Sequence, residues 1–137
     1  MTTLTEFLFP APARRSAGAI ILWWEGRRLA FNLCVGSAGV VSLFAVTGVA
    51  AIHDGVFVLP YLLVPAGVFG VLANACYLLG PAAEILIHAV WGRRVLPTGP
   101  TLYRMGLTFS VGLALLPTLL VTLVLVVSVV VEAVPFF

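Results

Sequence analysis

Residues 105–131, MGLTFSVGLALLPTLLVTLVLVVSVVV, carry no charged side chain. About 20 apolar residues in a helix cross the hydrocarbon core of a bilayer, so this stretch is long enough to span with some tilt. Working back along the chain, Leu29 to Ile52 and Val56 to Gly80 read the same way. Hydrophobic residues make up 62% of the 137 and charged residues 9%, with a mean hydropathy of +1.20. Soluble domains devote about a quarter of their residues to charge, so the composition asks for lipid as solvent. The reading is an all-α integral membrane protein of three transmembrane helices, forming one membrane domain over residues 1–137.

The connections define the rest of the expected architecture. Thr2 to Arg28 mixes Phe7, Leu8, Phe9, Ile20, Ile21, Trp23 and Trp24 with prolines and arginines, which suits an extended lead followed by an interfacial helix at headgroup level. The run Ala17 to Trp24 ends at Glu25-Gly26-Arg27-Arg28 without a small-residue cleavage site, so no cleavable signal is expected. Asp54-Gly55 makes a short turn that forces spans one and two to be antiparallel neighbours. Pro60 and Pro65 predict a kink in the first half of span two. Beyond Gly80-Pro81, Ala82 to Trp91 reads as a second interfacial helix or as an extension of span two bent at Pro81. Pro97, Gly99 and Pro100 then mark a turn within Arg93 to Tyr103.

Orientation follows from the arginines, because the chain has no lysine. Arg14, Arg15, Arg27 and Arg28 precede span one, and Arg93, Arg94 and Arg104 lie between spans two and three. With three spans both groups fall on one side, which the positive-inside rule makes cytoplasmic, leaving the C-terminus external. Arginine without lysine, together with much Ala, Val, Gly and Leu, suggests a GC-rich bacterial coding sequence and hence a bacterial inner membrane.

Polar side chains within spans are the default functional candidates, since each is costly to keep in lipid without a partner. Helical spacing puts Glu25, Arg28, Asn32, Gly36 and Gly39 on one face of span one, and Gly70, Asn74, Tyr77, Glu84 and His88 on one face of span two and its extension. Arg104, Thr108 and Gly112 continue the theme on span three. These stripes are expected to pack on each other, with Asn32 bonded to Asn74 and with Glu25 and Glu84 facing Arg28 and Arg104. The candidate site is therefore a polar cluster at the cytoplasmic side: Glu25, Arg28, Asn32, Asn74, Tyr77, Glu84, His88 and Arg104.

Catalytic and cofactor signals are weak by comparison. Glu84 and His88 share a helical face, but a metal needs at least three protein ligands and HExxH is absent. His53 and His88 are conceivable haem ligands, yet they fall on opposite membrane faces. Ser37, between Gly36 and Gly39, has no histidine at its depth to act as base. Cys34 and Cys76 lie in apolar runs and read as free thiols. No catalytic residue, metal or cofactor is expected, and nucleic acid is not an expected partner. The expected role is a non-enzymatic accessory or structural subunit of a larger membrane complex. Its partners would be the bilayer and other membrane proteins, or further copies of itself. The alternative is a homo-oligomeric ion channel or small transporter, which needs polar residues through the whole bilayer depth.

Overall fold

A computed structural model describes residues 16–53, 55–91 and 98–133. They form three α-helices: α1, Ala17–His53; α2, Leu59–Trp91; and α3, Gly99–Ala133. All three are long and apolar enough to cross a membrane. At 1.5 Å per residue they measure roughly 55, 50 and 52 Å, well beyond a hydrocarbon core of about 30 Å.

Local chemistry accounts for the helix ends. Ser16 caps α1, its Oγ accepting the Ala19 amide at 3.3 Å and its carbonyl accepting Ile20 N at 3.1 Å. Gly55 adopts a φ of +65°, a left-handed conformation that only glycine takes without steric cost, and the chain reverses there. Across that turn Val56 N donates to the Ala50 carbonyl at 3.3 Å. Pro60 falls in the first turn of α2 and Pro100 in the first turn of α3, where a missing N–H leaves no helical bond unmade.

The separate interfacial helices expected from the sequence are not distinct elements among the described residues. Ala17 to Arg28 is the first part of α1, and Ala82 to Trp91 is the last part of α2. Helix runs through Pro65, Pro81 and Pro117, each of which removes one backbone bond without ending its element. The expected extended segment before Ala17 lies outside the described residues.

α1 and α3 run parallel and pack on each other most extensively, α2 lies antiparallel beside α1, and α2 touches α3 least. Burial is concentrated at the end where α1 and α3 begin and α2 finishes. Ile20, Trp23, Trp24, Phe31, Tyr77 and Tyr103 form the core there. Further along, contact is made through small groups such as Ala38, Ala73 and Ala114. In the most apolar 18-residue windows only 22, 11 and 6% of residues are buried on α1, α2 and α3. The bundle is thus held tightly at one end and leaves its apolar flanks uncovered along the rest.

Candidate functional site

Glu84 is fully buried at the tight end of the bundle, with 0% of its surface exposed. A carboxylate in such a place needs compensation, because burying an unpaired charge is expensive. The indole Nε1 of Trp24 donates to Glu84 Oε2 at 2.8 Å. The same carboxylate lies against Gly99, the first residue of α3, where a Cβ would come within 3.0 Å of both Oε1 and Cδ. A helix N-terminus favours a negative charge beside it, so the start of α3 adds electrostatic support. His88, one turn along α2, brings Nε2 to 3.8 Å from Glu84 Oε1. Glu84 Oε1 and His88 Nδ1 are buried and have no hydrogen-bond partner among the described residues.

Aromatic rings surround this carboxylate. Trp24 meets Tyr77, Trp23 and Tyr103 edge to face, with centroid separations of 5.4, 5.6 and 6.0 Å. Such pairs add to the burial of their area. Tyr77 donates its hydroxyl to the Trp24 carbonyl, and its ring packs on Phe31 at 4.7 Å. Gly80 makes room for the arrangement, since the Trp24 ring fills the space a Cβ there would occupy. All three helices therefore converge on Trp24: α2 through Tyr77, Gly80 and Glu84, and α3 through Tyr103.

The structure distributes the sequence-derived candidates unevenly. It brings together Tyr77, Glu84 and His88 in this cap. Arg28 turns to Glu25 on its own helix at 3.1 Å, and its guanidinium lies 5.7 Å from the Tyr77 ring centroid. Glu84 is thus met by an indole and an imidazole, where arginine had been expected. Burial explains the difference, because the guanidinium of Arg28 stays partly solvated while Glu84 is sealed beneath Trp24. Arg104 is exposed on α3.

Asn32 and Asn74 are not joined as expected. Asn74 Nδ2 donates to the Gly70 carbonyl of its own helix at 3.1 Å, and Asn32 is exposed on α1. Both line a cleft of about 450 Å³ between α1 and α2, closed on one side by Leu113, Ala114 and Pro117 of α3. The cleft lies between the two helices at this level, and Asn74 uses a backbone carbonyl one turn back on its own helix as its acceptor.

Residues that the sequence reading passed over do much of the holding. Trp24 was read only as part of an interfacial helix, with no partner assigned; it is 3% exposed and central to the bundle. Deeper in the bundle Ser42 Oγ bonds the Ala114 carbonyl and lies 2.8 Å from Thr118 Oγ1, fastening α1 to α3. Ser37 bonds the Cys34 carbonyl of its own turn at 3.0 Å, and both cysteines are free and exposed. Among the described residues no three His, Cys, Asp or Glu side chains converge as a metal site would require.

Comparison with protein-family models, with curated proteins and with solved structures finds no match to this chain.

Proposed function

We propose that the chain is a three-span integral membrane protein that serves as a non-catalytic subunit of a larger assembly in a bacterial inner membrane, with its arginine-bearing end in the cytoplasm. One observation carries this reading: the bonded polar groups in the helices turn to a neighbouring helix or to their own backbone, while the flanks stay apolar and uncovered. Glu84, Tyr77 and Ser42 bond across helices, and Asn74, Ser37 and Ser128 bond within their own. On α3, Leu116, Leu119, Leu123, Val126 and Val130 are 44 to 63% exposed and follow one another at helical spacing.

An exposed apolar face of this kind is accommodated only by lipid or by other apolar helices. A pore along the chain would need a continuous polar lining. Here Ser42 and Thr118 bond each other, and Ser110 and Thr47 are buried.

Extraction from the native membrane in a gentle detergent, followed by mass determination and identification of co-isolated chains, tests the proposal. A stable complex with other membrane proteins is expected. A homogeneous self-oligomer that conducts ions in liposomes would replace this reading with the channel.

A further inference from the structure

Two helix ends of opposite polarity meet at Glu84 and His88. His88 lies in the last turn of α2, where carbonyls without intrahelical donors favour a positive charge. Glu84 packs against Gly99 at the start of α3, where unpaired amides favour a negative one. The His88 and Glu84 side chains are 9% and 0% exposed, and their facing atoms, Nε2 and Oε1, stand 3.8 Å apart. That separation suits an ion pair and is too long for a hydrogen bond; a shift of roughly 1 Å would make one. Oε1 has no other partner among the described residues, while Oε2 already accepts from the Trp24 indole.

Histidine is the side chain whose ordinary charge change falls between about pH 5 and 8. The groups packed around the pair keep their charge over that range. α1 presents Trp24, which carries none; next to it Arg27 donates to the Trp23 carbonyl and Arg28 to Glu25. α3 presents Gly99 and, against Trp24, the phenol of Tyr103, while Arg104 is exposed. α2 adds Tyr77, bonded to the Trp24 carbonyl, and phenols ionise well above neutral pH.

We propose that Glu84 and His88 form a pH-sensitive clasp joining the end of α2 to the start of α3. With His88 protonated, Nε2 donates to Glu84 Oε1, and the carboxylate is held in place for Trp24 and Gly99. When His88 loses that proton, Oε1 is left without a donor in a sealed site, which loosens the packing of α3 and Trp24 on α2. The closed form binds the proton more tightly than the open form, so it is most stable at the acidic end of the range and loses stability as the pH rises. This device goes beyond the subunit role and is independent of the chain's orientation in the membrane.

Two measurements on the full chain in detergent micelles test it. Nuclear magnetic resonance of isotope-labelled histidine and tryptophan rings follows His88 and the Trp24 indole N–H together, with His53→Gln separating the two histidines. The Trp24 signal is expected to move over the same pH range as His88 in the wild type and to stop following pH in Glu84→Gln. The folding equilibrium constant should fall about tenfold between about pH 6 and 8, within the limit of about tenfold per pH unit that one proton sets. His88→Gln should hold that fall to about twofold or less, while His53→Gln, at an exposed helix end, should keep it.

A wild-type equilibrium constant that is flat or rises over this range overturns the clasp, as does an equal fall in His88→Gln. A Trp24 indole signal that ignores the titration of His88 overturns it as well. The resonance comparison is made on the wild type, so it decides the matter even if His88→Gln fails to fold.

Discussion

The ring of Trp24 occupies the space that a Cβ on Gly80 would need, while its Nε1 reaches the carboxylate of Glu84 one turn further along α2. Position 80 is therefore glycine because a large, rigid ring must come close. Gly80→Ala should displace the indole, loosen its bond to Glu84 and lower stability by about 1–3 kcal/mol, the usual cost of overpacking. Gly112→Ala, where an added Cβ meets nothing within 4 Å, should be neutral or stabilise α3 by about 0.5–1 kcal/mol. Unfolding in detergent, followed by tryptophan fluorescence, measures both. Equal effects at the two glycines would show that Trp24 is not held against α2.

The Trp24 to Glu84 bond makes a second prediction. Trp24→Phe removes the donor and leaves a buried carboxylate underbonded, a loss of about 1–3 kcal/mol. Glu84→Gln keeps a carbonyl oxygen that can accept from the indole, so it should cost less than Trp24→Phe. A double-mutant cycle between Trp24→Phe and Glu84→Ala, each of which removes the bond, should show coupling of about 0.5–2 kcal/mol. Additive losses would place the two side chains apart.

How far the sequence foretold this arrangement depends on the kind of signal each part carries. The three spanning-length helices were legible from charge-free runs such as 105–131, because length and apolar content act locally. Glu84 and His88 were legible as neighbours because i and i+4 positions share a helical face. The partner of Glu84 was not. Formal charge pointed to Arg28 or Arg104, whereas Arg28 found Glu25 three residues away on its own helix. Trp24 was hidden because the interfacial preference of tryptophan masked its role as a buried donor. The one local signal was the glycine at position 80, which leaves room for a packed ring. At Pro81 the sequence left open a separate interfacial helix or an extension of span two, and α2 runs on through it, with the Trp24 ring packed beside it on Gly80.

The asparagines give a third prediction. Asn74 bonds the Gly70 carbonyl and Asn32 makes no bond to it, so Asn32→Leu and Asn74→Leu should act independently. Their combined effect on stability should equal the sum of the single effects within about 0.5 kcal/mol. A clearly smaller combined effect would mean that the two amides meet across the cleft.

The account rests on three crossings with the arginine-bearing end on one side. Its most direct test is the sidedness of single cysteines placed at His53, Trp91 and Ala133, all exposed helix-end positions, in a chain whose Cys34 and Cys76 are replaced by alanine. An impermeant maleimide applied to intact bacterial cells should label His53→Cys and Ala133→Cys, and should reach Trp91→Cys only after the membrane is opened. Labelling of Trp91→Cys and Ala133→Cys from the same side of an intact membrane would contradict the three-span account.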